Sequence, residues 1–233
     1  MILITLDIDW APDEVIEDTL ALFEKYAVKC TLFATHHSDV IKNCNRQLFE
    51  VGIHPNFNPI LNGTSQDSPE KVIDKLLEIY PESKGVRSHS MTQSTPLLDL
   101  FKSKGLKYDA NHFLPYSECL EPFLLWNGLF RIPYNWEDDV HFMYKNDFSN
   151  FGLDLVKKCL NVFDFHPIHV FLNTDTESTY INAKEYYHNP DQLVKCRNTT
   201  NTGTRDALIR LLKKINSDKL SHATLLEFYL NAK

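Results

Sequence analysis

Residues 2–9 read Ile-Leu-Ile-Thr-Leu-Asp-Ile-Asp. An apolar, β-branched run this short, directly after Met1, has the pattern of a buried strand. No basic segment precedes it and no small-residue cleavage site follows, so it does not read as a secretion signal, and a cytoplasmic chain is expected. Working outward, residues 13–26 place Val15, Ile16, Leu20, Leu22 and Phe23 at helical spacing behind Pro12 and Asp13. The pattern then repeats: a strand over 28–34, a helix over 39–50, a short strand over 51–54 and a helix from Ser68 to about Tyr80. A strand over 85–88, a helix over 95–104 and a strand over 106–109 follow. Strands and helices alternating through short connections predict parallel strands covered by helices.

The second half is less regular. Residues 123–133 predict one or two strands carrying Trp126 and Arg131, and 154–159 a helix. Residues 161–173, dense in aromatic and β-branched side chains, predict a strand leading into a turn. A polar excursion with some helix occupies 174–204, and helices are expected over 206–215 and 221–230. Six or seven such units suit a barrel or an open doubly wound sheet. No Gly-rich loop follows the first strand, and seven glycines in all are few. Polar residues stand instead where several strands end, and in a barrel those ends meet on one face. The expectation is a distorted parallel (β/α)7 barrel, TIM-barrel-like, forming a single domain over 1–233.

Composition excludes other classes. The 233 residues are 43% hydrophobic, enough for a full core, and carry a net charge of −7. An acidic chain without a basic aromatic patch is not expected to bind nucleic acid or an anionic membrane. No apolar stretch is long enough for membrane insertion. The five cysteines, Cys30, Cys44, Cys119, Cys159 and Cys196, are odd in number and form no CxxC. They read as scattered reduced thiols rather than a disulfide framework or a cysteine zinc site.

Asp7 and Asp9 interrupt the first strand two residues apart, which in an extended chain turns both carboxylates to one side. Two carboxylates so placed repel unless a cation lies beside them, and a divalent metal is the usual solution. The plainer alternative is an Asx turn with a helix cap. His54 follows Val-Gly-Ile, His89 follows Gly-Val-Arg-Ser two residues after Arg87, and His166 and His169 lie in Phe-Asp-Phe-His-Pro-Ile-His. Any one of these histidines alone reads as structural. Together, all at ends of apolar runs, they point to a zinc-type site with one Asp and two His ligands. Trp10, Phe57 and Trp136 are candidate stacking surfaces for a sugar, with the core as the alternative. No Gly-x-Ser-x-Gly is present.

The order Thr-Leu-Asp-Ile-Asp, Gly-Ile-His-Pro-Asn-Phe, Val-Arg-Ser-His-Ser, Phe-His-Pro-Ile-His resembles the polysaccharide deacetylase superfamily. This is the NodB-homology, or carbohydrate esterase family 4, group. More narrowly it resembles the divergent branch found in bacterial surface-polysaccharide gene clusters, and the resemblance spans residues 2–173. It implies a distorted β/α barrel, usually of seven strands, and a metal-dependent hydrolase that removes acetyl groups from N-acetylated sugars.

Carried over residue by residue, the resemblance implies Asp7 as general base and Asp9 as metal ligand. The family's adjacent Asp-Asp pair is split here. His54 matches the first histidine of the second motif, but Asn58 stands where the second ligand belongs. His89 is the replacement, in the third motif beside Arg87, which would pair with the catalytic Asp. His166 matches the general acid, with His169 as a second candidate, and Trp136-Glu-Asp-Asp weakly matches the fourth motif. The implied cofactor is a divalent metal, Zn2+ above others. The implied partner is an N-acylated sugar or conjugate, nucleotide- or lipid-linked in the cytoplasm, in O-antigen or capsule biosynthesis. Two alternatives stand beside this: a hydrolase of another linear or cyclic amide, and a sugar-binding protein without chemistry on the same barrel.

Overall fold

The computed structural model describes residues 1–151 and 159–232. Its first half alternates β1 (Ile2–Asp7), α1 (Asp13–Tyr26), β2 (Cys30–Ala34), α2 (Asp39–Asn43), β3 (Phe49–Ile53), α3 (Asn58–Leu61), α4 (Pro69–Ile79), β4 (Gly85–Val86), α5 (Thr95–Ser103) and β5 (Tyr108–Asp109). Short strands β6 (Phe123–Leu124), β7 (Phe130–Arg131) and β8 (Trp136–Glu137) precede α6 (Asp138–Met143), β9 (Asn161–Phe165) and α7 (Pro167–Leu172). The chain closes with α8 (Glu177–Ala183), α9 (Pro190–Leu193), α10 (Thr204–Ser217), β10 (His222–Ala223) and α11 (Leu225–Asn231).

One sheet runs β6-β7-β5-β4-β3-β2-β1-β9-β8, with β10 added beside β1. Every pairing is parallel except β6 with β7. The sheet curls into a half-barrel clad in helices, as the β–α alternation predicts. β1 lies inside the sheet between β2 and β9 and is buried throughout, which is why residues 2–6 read as a nearly continuous apolar run.

Alternate residues of β1 serve two cores. Ile2, Ile4 and Leu6 pack outward with Val15, Ile16 and Phe23 of α1 and Leu208, Leu211 and Leu212 of α10. Leu3 faces inward with Phe33, Val162, Tyr134 and Leu225. β10 joins β1 at Ile2 and Leu3, so α11 plugs the lower end of the curl. Above Leu3 the inward positions turn polar: Thr5 pairs in register with Asp164, and Asp7 is next. The concave face therefore grades from an apolar plug to a charged rim.

Two local expectations change. The helix expected over 39–50 stops at Asn43, and Asn45 then turns the chain: its side chain accepts from Gln47 N (3.0 Å) and its carbonyl from Phe49 N (2.9 Å). Phe49–Ile53 pair with β2 instead. After β9 the chain enters a helix rather than a turn, because Pro167 supplies the first position of α7. The helix expected over 154–159 falls on residues outside those described before Cys159.

The cysteine reading is corrected. Cys119 and Cys159 form a disulfide, Cα–Cα 5.1 Å, joining the loop after β5 to the lead-in of β9. Forty residues separate them, so no local spacing signals the pair. Cys30, Cys44 and Cys196 are free thiols. No described helix is long and apolar enough to cross a membrane.

Candidate active site

The expected site residues come together at one rim. Asp7 ends β1, His54 follows β3, Arg87 follows β4 and His166 follows β9. In a parallel sheet all these are carboxyl ends, where crossover loops leave a crevice.

Asp9 is beyond the strand, so the pleat does not align it with Asp7. It reaches the site through a turn in which Asp9 (φ 42°) and Trp10 (φ 59°) both take left-handed conformations. The Asp9 carboxylate then meets two histidines through one oxygen: Oδ1 is 3.3 Å from His54 Nε2 and 3.2 Å from His89 Nδ1. Burial works against the charge on Asp9, but the hydrogen bonds from His54 and His89 outweigh it and hold the group well below the usual carboxylate range. His54 is itself buried, which disfavours its charge, yet the Asp7 carboxylate and Asp9 raise its pKa. Three ligand atoms within 4.8 Å of one another fit a small cation. Bonds of about 2.0–2.1 Å in a tetrahedron place ligand atoms about 3.3 Å apart, the spacing of Asp9 Oδ1 from each of the two histidine nitrogens. Asn58 takes no part: its Nδ2 donates to Ser90 Oγ at 3.1 Å and braces the turn that carries His89.

Asp7 is held from below. Arg87 Nη1 donates to Asp7 Oδ1 (2.9 Å) and to Thr5 Oγ1 (2.9 Å), and it also meets Asp164 Oδ1. Arg87 Nε donates to the Ala110 carbonyl (3.1 Å), and the guanidinium is sandwiched by Phe33 (4.7 Å) and Tyr134 (4.3 Å). Burial disfavours its charge, but Asp164 and Asp7 raise it further, so Arg87 stays cationic. Asp164 is wholly buried, and burial pushes its pKa up to about 8 despite Arg87, with the Asp7 charge adding to the rise.

His166 is fixed by Asp138, the first residue of α6. Its Nδ1 donates to Asp138 Oδ1 at 2.7 Å, and its backbone N–H donates to Oδ2 at 2.8 Å. Burial alone lowers the His166 pKa, but the Asp138 charge and hydrogen bond lift it well above the ordinary value. Nε2 is left facing the site, 3.7 Å from Asp9 Oδ2. His169 is one turn along α7, its Nδ1 against Thr174 Oγ1 (3.2 Å). Burial and then the charge on His166 hold it neutral, and its ligand atom groups with Asp138 and His166 rather than with Asp9, His54 and His89.

A small inner cavity of about 120 Å³ lies among these groups and includes Glu137 and Asp139 in its wall. It shares Asp9, His89, Asp139 and His166 with an outer cavity of about 640 Å³, so one leads into the other. Burial and then the Asp139 charge raise the Glu137 pKa. Trp10, Phe142, Tyr180, Lys184 and Tyr187 are among the residues that wall the outer cavity. Of the three aromatics expected as stacking surfaces, only Trp10 lines the cavity. Phe57 (1% exposed) packs on Phe101, and Trp136 (5%) sits among Phe151, Phe163 and Phe165; both are core.

Sequence reasoning missed Asp164 and gave Asp138 little weight. An Asp flanked by Phe163 and Phe165 in a buried strand, two residues before His166, was the available signal for Asp164. The contribution of the polar excursion to the outer cavity carried no sequence signal.

The family model "WbmS-like: Polysaccharide deacetylase" matches residues 4–184. The crystal structure of WbmS from Bordetella bronchiseptica, described as a polysaccharide deacetylase involved in O-antigen biosynthesis, is 41% identical. It superposes with a TM-score of 0.86, over 91% of this chain and 90% of that one. Two more distant structures share the fold. The Bc1960 peptidoglycan N-acetylglucosamine deacetylase is 14% identical at TM-score 0.56, covering 97% and 86% of the two chains. The family 4 carbohydrate esterase from Streptomyces lividans is 12% identical at 0.53, covering 95% and 91%. No curated protein sequence matches. With more than two thirds of its length under one family model and a 41% identical relative along nearly all of it, this chain belongs to the WbmS-like polysaccharide deacetylases.

Proposed function

We propose that the protein removes an N-acetyl group from an amino sugar or sugar conjugate of a surface polysaccharide, using one divalent cation, most simply Zn2+. The carrying observation is the convergence of Asp9, His54 and His89 beside an arginine-held Asp7 and an aspartate-held His166. Asp9, His54 and His89 would hold the ion, which when bound supplies an acidified water and a Lewis acid for the amide carbonyl.

The chain's own groups do the rest. Asp7, steadied by Arg87, accepts the proton of the attacking water. His166, kept protonated by Asp138, presents Nε2 to the amide nitrogen. Its proton goes to that nitrogen as the C–N bond breaks, because an unprotonated amine is too basic to leave. Water oxygen ends in acetate, and the sugar keeps a free amine. Trp10 offers an apolar face to the sugar ring at the cavity mouth. His169, neutral and turned to the outer cavity, is a substrate contact in this reading rather than the acid.

Acetate release is to be followed with N-acetylhexosamines, free and nucleotide- or lipid-linked. Each is run with zinc and with chelator, in wild type and Asp7→Asn. Activity that needs zinc and drops at least a hundredfold in the variant is expected. Sugar binding without acetate release from any of these substrates would place the protein among non-catalytic members of the fold.

A further inference from the structure

The excursion after α7 is tied to the cation cluster by one hydrogen bond. Tyr187 Oη donates to the backbone carbonyl of Asp9 at 2.6 Å. Tyr187 lies beyond the segment matched by the family model, which ends at residue 184. We infer that Tyr187 is a positioning residue for the cation, holding the Asp9 turn in the conformation that brings its carboxylate to His54 and His89. The inference rests on the metal reading of that cluster.

Asp9 and Trp10 are consecutive non-glycine residues with positive φ. L-residues take that conformation at a cost, and it persists only where the surroundings over-determine it. The restraints are visible. Trp10 N donates to Thr35 Oγ1 (3.0 Å) on one side, and Ala11 N donates to the Ile8 carbonyl (2.9 Å) within the turn. Tyr187 closes the other side. The turn sets two contacts at once: the Asp9 carboxylate meets both histidines, and the Trp10 ring stands edge-on to His89, 5.1 Å between centroids.

Tyr187 can act as a fixed post because its surroundings are anchored. Ala183 and Leu193, on either side of it, are fully buried in the core to which α1 and α7 also contribute. The same tyrosine walls the outer cavity with Tyr180 and Lys184, so the element that would meet the substrate also holds the ligand turn.

The test is zinc titration against a chromophoric competing chelator, with wild type, Tyr187→Phe and Thr35→Val, beside thermal unfolding of each metal-free protein. Outer partners of ligands change metal affinity by about 10–100-fold, and a loss of that size is expected for Tyr187→Phe. Thr35→Val, which frees the turn from its opposite side, should shift affinity in the same direction. Metal-free midpoints should stay close to wild type. Wild-type affinity in both variants overturns the inference while leaving the metal reading intact. A lowered metal-free midpoint with unchanged affinity also overturns it, as a merely structural bond. Failure of the wild type itself to bind zinc is the separate failure of the metal reading.

Discussion

Asp138→Asn isolates the group that keeps His166 protonated. Asp138 is fully buried: Oδ2 accepts from the His166 backbone N–H (2.8 Å), and Oδ1 accepts from His166 Nδ1 (2.7 Å) and from the Asp139 backbone N–H (2.9 Å). Asparagine is neutral and keeps only one acceptor, so in either orientation of its amide the imidazolium loses the carboxylate's charge. What is lost is the charge-assisted form of a buried hydrogen bond, about 1.5–3 kcal/mol. At about 1.36 kcal/mol per pKa unit, the imidazolium becomes more acidic by about 1–2 units. The sign is definite: His166 is raised in the folded protein, its acid form is lost as pH rises through that value, and the variant loses it earlier. The basic limb of kcat, measured by acetate release at saturating zinc, should move down by about 1–2 pH units. Between the two limbs the variant should be about 10–100-fold slower, with little change in zinc affinity. An unmoved limb would refute His166 as the acid and Asp138 as its support.

Three further outcomes follow from other parts of the molecule. Cys119→Ser opens a cross-link between residues 40 apart, worth about 4 kcal/mol by chain entropy, so the midpoint should fall by about 10 °C. Thiol titration of the unfolded but unreduced protein should find three of the five cysteines, and five reactive thiols would contradict the bond. Asp164, raised to about 8 when folded, keeps a proton between about pH 4 and 8 that the unfolded chain releases, so its contribution to stability falls as pH rises through that window. Asp164→Asn should flatten that part of the metal-free stability profile in urea unfolding, and parallel curves would show that Asp164 is already ionised. Trp10→Ala should raise KM for the sugar about tenfold through lost ring contact, with a smaller effect on kcat. An unchanged KM would put the sugar elsewhere in the cavity.

The fold was legible where burial and period agree. Residues 2–4 are apolar on both phases because β1 is covered on both faces, and the amphipathic spacing of Val15, Ile16, Leu20 and Phe23 gave α1 directly. Legibility failed where one local group overrides a pattern: Asn45 turns the chain after α2, and Pro167 starts α7. It failed again where contacts join distant segments, as in the Cys119–Cys159 bond. At the site, the residues at strand ends were readable because parallel topology brings such ends together, so Asp7, His54, Arg87 and His166 meet as expected. Asp9 joined them for a reason no alternation rule contains, a left-handed turn pinned from both sides. Asp164 and Tyr187 act through contacts 77 and 178 residues away in sequence, which a single sequence does not display.

The central claim is that His89 replaces the ligand missing at Asn58, so that Asp9, His54 and His89 hold one cation. It is tested most directly by elemental analysis of protein equilibrated with zinc and freed of excess metal, for wild type, Asp9→Ala and His89→Ala. About one zinc per chain in wild type, lost in both variants, is the predicted result. A wild type that takes up no metal, or a His89→Ala variant that retains it in full, would contradict the account.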